Sequence, residues 1–206
     1  MRIHEIYGKK DYLCFMGSKM QKFIDYIQSA VPDSLIDKSD LEEFCTSKSL
    51  KKGEVLLSMG SVCKHYYYVN RGVLRIYYFN DAAEERTGWI AFEDYFFTEL
   101  ESFTRGTLSQ YEIIATEATE IVQIHKNHID LLIERYDWFS KFLFYNQQET
   151  ILNLTKVIEL FQNQSVKDRY EELFKYPDFI KKVKQKDLAS MLGMSKYSIS
   201  RAKSSK

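Results

Sequence analysis

The chain is poor in residues that punctuate or cross-link. Its 206 residues hold two prolines, eight glycines and three cysteines. So little Pro and Gly leaves no low-complexity stretch, and nothing in the composition points to disorder. Cys14, Cys45 and Cys63 are an odd number at wide spacings, with no CxxC pair among them. They suggest neither a disulfide framework nor a zinc or iron–sulfur site, and read as reduced thiols. No apolar run approaches the roughly 18 residues of a membrane span. The segment MRIHEIYGKKDYLCFMGSK is charged throughout and lacks the apolar core of a signal peptide, so the chain is expected in the cytoplasm and away from membranes. Net charge is zero. What is abundant is apolar material: 45% hydrophobic and 15% aromatic residues, enough for real cores in one large domain or two small ones.

The neutral total hides an asymmetry. From Lys181 to Lys206 there are eight Lys/Arg against one acid, Asp187, a net of +7, so residues 1–180 carry −7. A basic end on a neutral chain is an electrostatic footprint for phosphate. The same end holds QKDLASMLGMSKYSISRAK, residues 185–203. Leu188, Ala189, Leu192 and Ile199 are apolar at helical spacings, and Gly193 breaks the pattern between them. Ser195 stands where an N-cap belongs. Lys196, Tyr197, Ser200, Arg201 and Lys203 give the second helix, 195–204, donors and a ring instead of a core face. That is the pattern of a helix-turn-helix whose second helix enters a major groove. The competing reading is an ordinary surface hairpin.

Upstream, Met20, Phe23, Ile24 and Ile27 mark an amphipathic helix that Pro32 ends. Leu35 to Phe44 suggests a short second helix, with Asp37 or Ser39 as cap. The first dozen residues show no pattern. From Leu50 to His125 the pattern becomes short strands and turns: 54–57, 65–69, 73–79, 89–92, 111–115 and 121–125, with Gly53, Gly60 and Gly72 between them. At least six such strands argue for a small antiparallel barrel or jelly roll. Helical periodicity returns at Lys126, and Trp138 to Gln164 holds no Gly or Pro. Phe139, Leu143, Asn146, Thr150, Leu154, Val157 and Phe161 follow steps of three and four, a coiled-coil-like seam for a dimer. Packing on the chain's own barrel is the alternative. Ser165 opens a further helix that Tyr176-Pro177 stops. Leu173, Phe174, Phe179, Ile180 and Val183 can supply a small core there. The expected architecture is α+β, with helices and a β-roll over 1–136, a long dimerisation helix over 137–164 and a winged-helix-like helix-turn-helix unit over 165–206.

In that order these parts resemble the Crp/Fnr (cyclic-AMP receptor/fumarate–nitrate regulator) family of bacterial transcription factors. The residues that carry the resemblance are KKGEVLLSMGSVCKHYYYVNRGVLRIYY (51–78) and DRYEELFKYPDFIKKVKQKDLASMLGMSKYSISR (168–201). Residues 168–201 are most similar to the branch common in Bacteroidetes-type bacteria. The resemblance implies a homodimer on double-stranded DNA, with RNA polymerase as a further partner and an unidentified small-molecule effector as a candidate occupant of the roll. It places Lys196, Tyr197, Ser200 and Arg201 toward the bases, with Arg201 the best guanine reader. Ser195, Lys203 and the lysines up to Lys186 fall on phosphate.

In cyclic-AMP-binding members a Gly-Glu-Leu segment is followed, ten residues after its Glu, by an Arg that neutralises the phosphate. Here Thr98-Glu99-Leu100 stands in the first place and Ser109-Gln110-Tyr111 in the other. A buried phosphate with no cation costs several kcal/mol, and Tyr111 crowds a site built for Ala. Arg105, on a nearby loop, is the one candidate substitute. The chain is therefore not expected to answer to cyclic AMP. His65 and His125 read as structural strand histidines and not as haem ligands. The aromatics of the roll fill it or line an apolar pocket. No catalytic residue, metal or cofactor is expected. A cupin-type metalloenzyme would need a clustered His-x-His and Glu set, which His4, His65, His125 and His128 do not form. The other class in competition is a ligand-binding or protein-interaction roll that has lost DNA binding.

Overall fold

The computed structural model describes residues 9–194. Helix α1 (Lys9–Ala30) leads through α2 (Ser39–Glu42) into eight strands: β1 (Cys45–Leu50), β2 (Val55–Leu57), β3 (His65–Arg71), β4 (Leu74–Phe79), β5 (Glu85–Ala91), β6 (Phe96–Phe97), β7 (Glu112–Ala115) and β8 (Thr119–His125). Helix α3 (Leu100–Arg105) interrupts them after β6. The strands form two four-stranded sheets, in the orders β1-β8-β3-β6 and β2-β7-β4-β5, and every pairing is antiparallel. That is the expected jelly roll, with two strands that the sequence pattern did not show. In β1 only Cys45 and Leu50 are buried, so CTSKSL has no alternation to read, and its pairing with β8 makes it a strand. In β6 two residues suffice because Tyr67 and Tyr68 of β3 supply the ladder. Strand β5 also starts earlier than expected: the polar residues Glu85, Arg86 and Thr87 pair with Phe79, Tyr78 and Tyr77.

Strand β3 shows why the aromatics are there. Tyr66 through Asn70 are all buried, so both faces of the strand are covered and alternation disappears. Tyr68 meets Phe23 and Tyr26 of α1 at ring distances of 4.8 and 5.1 Å. Tyr66 stacks on Phe96 at 5.0 Å and meets Phe103 of α3 edge-on at 4.9 Å. Tyr67 lies against Phe97 on the other face, at 5.8 Å. These rings fill the roll and its helical cover. The phenol of Tyr68 donates to Asp94 at 2.6 Å, and burial together with that carboxylate raises its pKa.

Strand β8 runs without a break into α4 (Lys126–Arg135), whose first turn is capped by His125: the Asn127 amide donates to Nδ1 at 3.2 Å. Helix α5 (Asp137–Asn163) follows. Its first third packs on the roll through Trp138, Phe139, Phe142 and Leu143, all buried, with Phe142 against Phe96 at 5.1 Å and Tyr26 at 5.9 Å. Here the expected seam needs correction. Phe139 and Leu143 belong to the roll's core, and Asn146 faces α1, donating to the Tyr26 hydroxyl at 3.4 Å. The exposed apolar line keeps Leu154 and Phe161 of the expected seam and replaces its other members. It runs through Phe144, Ile151, Leu154, Ile158 and Phe161, each between 41% and 63% exposed. From Ile151 onward these residues step by three and four, which is the coiled-coil period.

After α5, Ser165 caps α6 (Val166–Glu172) through a capping box: the Asp168 amide donates to the Ser165 hydroxyl, and the Ser165 amide donates to the Asp168 carboxylate. A 3-10 turn (Leu173–Lys175) leads to α7 (Pro177–Lys182) and α8 (Gln185–Met191). Pro177 starts α7 as its first residue, where a missing N–H costs nothing, so the proline read as a stop is also a start. Tyr170, Leu173, Leu188, Ala189, Leu192 and Met194 form a separate small core, with Phe179, Ile180 and Val183 half-buried against it. Gly193 turns the chain at φ +65°, the left-handed geometry expected between the two helices of the motif.

Candidate functional site

Two regions carry the functional reading: the pocket region around α3 and the basic C-terminal unit. In the first, Glu99 is the N-cap of α3, its carboxylate accepting from the Ser102 amide at 3.1 Å. Leu100 points to solvent at 62% exposure. Ser109 is buried and fully engaged. Its hydroxyl donates to the Tyr111 carbonyl at 2.9 Å and accepts from the Tyr111 amide at 3.1 Å. Its backbone exchanges hydrogen bonds with Gly60 and Ser61. Gln110 is exposed. Tyr111 packs edge-on against Tyr78 at 5.5 Å, and its ring lies 3.3 Å from where a Cβ on Gly88 would stand. Burial raises its pKa. Arg105 is turned to solvent and paired with Glu101 at 3.4 Å. The structure thus brings Ser109 and Tyr111 together. Two cavities of about 310 and 320 Å³ are lined by other residues. At the position that the resemblance gives to a phosphate-binding Arg stands Ser109, whose hydroxyl is committed to the Tyr111 backbone.

Three of the chain's four histidines gather at the end of the first sheet. His65 and His125 are register partners across β3 and β8, with rings 5.1 Å apart, and His128 lies 6.2 Å from His125. Burial, then the neighbouring His125, Lys48, Lys64 and His128, lowers the His65 pKa. Among the described residues no group of three His, Cys, Asp or Glu is placed to hold a metal ion.

In the C-terminal unit Lys186 is exposed on α8. Ser195, Lys196, Tyr197, Ser200, Arg201 and Lys203 lie outside the described residues. The hydrophobic face expected of the motif's first helix is present, since Leu188, Ala189 and Leu192 are each no more than 3% exposed. Arg169 ties this unit to the long helix. Its Nη1 donates to the Leu192 carbonyl at 3.2 Å, and its guanidinium lies over the Phe161 ring at 4.5 Å.

Sequence reasoning missed one contact. Arg75 of β4 and Asp187 of α8 are both buried, at 7% and 4% exposure, and pair at 3.3 Å. Arg75 also pairs with Glu85 at 2.8 Å, donates from Nε to the Thr87 hydroxyl at 2.9 Å and covers the Tyr77 ring at 4.7 Å. The Thr87 amide in turn donates to the Ser190 hydroxyl of α8 at 2.8 Å. Removing one member of such a buried pair costs about 3–5 kcal/mol, because the other charge is left desolvated. Two signals for it were in the sequence: a lone Arg inside the apolar run 73–79, and a single acid within the basic end.

Residues 47–136 match the family model described as "Cyclic nucleotide-binding domain". The matched segment includes almost the whole roll. Solved structures extend the likeness beyond it. FixK2 from Bradyrhizobium japonicum superposes with a TM-score of 0.65 at 15% identity, over 78% of this chain and 83% of that one. A transcriptional regulator assigned to the Crp/Fnr family in Eubacterium rectale gives 0.63 at 18% identity, over 80% and 79%. The c-di-GMP-responsive global regulator CLP of Xanthomonas campestris gives 0.63 at 16%, over 81% and 89%. The chain thus shares its fold with these solved structures. No curated protein sequence matches it. Among the described residues no helix is long and apolar enough to cross a membrane.

Proposed function

We propose that this chain is a DNA-binding transcription regulator of the Crp/Fnr type, a cytoplasmic homodimer without catalytic activity. In this reading residues 1–136 form the regulatory part, 137–164 the dimerisation helix and 165–206 the DNA-binding unit. The observation that supports it is the small core beneath α8 and Gly193 at the basic end, the packing that the first helix and turn of a helix-turn-helix require. Residues 195–204 supply the reading helix, and RNA polymerase is a further partner. Selection from a random duplex pool, with protein alone, should enrich a palindrome whose half-sites lie one helical turn or a multiple apart. Arg201→Ala should then lose about 1–3 kcal/mol of discrimination at one base pair. Unchanged operator binding by that variant would remove Arg201 from its assigned role.

The regulator is also proposed to be independent of cyclic AMP. The support is Ser109, buried and hydrogen-bonded where the phosphate's Arg would stand, with Tyr111 wedged between Tyr78 and Gly88. Calorimetry with cyclic AMP or cyclic GMP should give no saturable heat at micromolar ligand. A micromolar Kd for either nucleotide would refute this.

A further inference from the structure

Charged side chains are almost never buried without a partner, so the site that buries one fixes where its partner element must lie. Arg75 does this between the roll and α8, holding Asp187 at 3.3 Å while its own sheet supplies Glu85 at 2.8 Å. The contact continues along the same face. Thr87 donates its amide to Ser190 at 2.8 Å. Phe92 meets Phe179 of α7 edge-on at 4.7 Å. Lys182 reaches Glu93 at 3.9 Å. An arginine, a backbone amide, a ring and a carboxylate from one stretch of the roll thus match the C-terminal unit group for group.

We propose that the β4–β5 face is a docking surface for the chain's own C-terminal unit, and that docking there competes with duplex DNA. The inference rests on the DNA-binding reading. Its basis is what the docked lysines meet. Lys182 lies on Glu93, and Lys186 shares a cavity of about 310 Å³ with Glu84 and Glu85. Both lysines belong to the basic run that would meet phosphate. A phosphate approaching them in the docked arrangement meets the roll's carboxylates at the same place, and like charges at that range repel. Undocked, the same lysines and the +7 end face solvent with the roll's acids removed. The face therefore stands in for DNA phosphate, and whatever loosens it frees the reader.

The test uses the full chain and a random-sequence duplex at low salt, where phosphate contacts dominate. Arg75→Met removes the roll's half of the pair and leaves the charge of the C-terminal unit unchanged. Ser190→Ala removes one hydrogen bond, alters no charge and leaves the roll intact, so it carries the test if Arg75→Met fails to fold. Docking is read from hydrogen exchange at the Thr87 amide. Both variants should exchange faster there and bind duplex more tightly than wild type, by about tenfold or more for Arg75→Met. Faster exchange with unchanged or weaker binding overturns the competition while leaving DNA binding in place. Unchanged exchange in both variants overturns the docking surface itself. Failure of every form, wild type included, to bind duplex despite faster exchange overturns the DNA-binding reading, and the competition with it.

Discussion

A chain carrying both Ile151→Lys and Ile158→Lys should run as a monomer in light scattering and lose operator affinity by at least about a hundredfold. Both isoleucines lie on the free line of α5, 62% and 54% exposed, so in a monomer the substitutions touch no core. Circular dichroism and the monomer's own melting temperature should therefore stay as they were. Across a two-fold seam each isoleucine instead contributes about 1.5–3 kcal/mol of burial, and each is used twice. Replacing them with lysines also brings like charges together along the seam, which adds to the loss. Operator affinity falls because two linked readers gain a large effective concentration that separate ones lack. A variant that remains a dimer would place the dimer contact elsewhere on the chain. The same double change at Asn146 and Thr150 has a different expected outcome. Asn146 touches Tyr26 of its own chain, so losses there appear in the stability of the protomer.

The other large effect is at Gly72, in the turn between β3 and β4. Its φ is +98°, and an added Cβ would stand 2.6 Å from the Thr119 hydroxyl, 2.7 Å from the Ala118 carbonyl and 2.8 Å from the Thr119 Cα. Two of those three atoms are backbone and cannot turn aside. The same Thr119 hydroxyl accepts from the Val73 amide at 3.2 Å, so moving it leaves a buried donor unpaired. Gly72→Ala combines left-handed strain of about 1–2 kcal/mol with overpacking of about 1–3 kcal/mol. A loss of roughly 3 kcal/mol or more should lower Tm by about 6–12 °C in a chain of this size. Gly53 has a similar φ of +84° but open space around it, so Gly53→Ala should cost only the strain. Equal losses at the two sites would mean that packing at Gly72 is looser than described.

Some of this fold is written locally in the chain, and some is decided only when distant segments close on one another. The helix ends were legible, because Ser165, Pro177 and Gly193 act on their own neighbours. The strands with dense aromatics were legible for the same reason. Strand β1 was not, since CTSKSL becomes a strand only when β8 arrives beside it. The face of α5 was half legible. Its period showed in the sequence, but its rotation depends on Phe142 and Asn146 finding Phe96 and Tyr26. At the place that the resemblance gives to an effector, Ser109 in place of Arg could be read directly. The hydrogen bonds that commit it could not, because they depend on how the turn at Gly60 and Ser61 folds back. The Arg75–Asp187 pair was not legible as a pair: each residue stands out in its own run, but the two are far apart in the chain and only the fold brings them together.

The pairing of β1 with β8 also has a consequence in time. Cys45 lies opposite Ile124 and Leu50 opposite Thr119, and β8 is the strand that joins β1 to β3. During synthesis everything from Cys45 to Glu117 can leave the ribosome without closing the first sheet. Chains emerge at roughly 5–20 residues per second, so β1 and β3 wait for seconds with unpaired edges. All-β closures of this kind are themselves slow, on the order of milliseconds to seconds. The half-made roll, with its tyrosine-rich β3 uncovered, is thus the stage at which this chain most needs protection from its own copies.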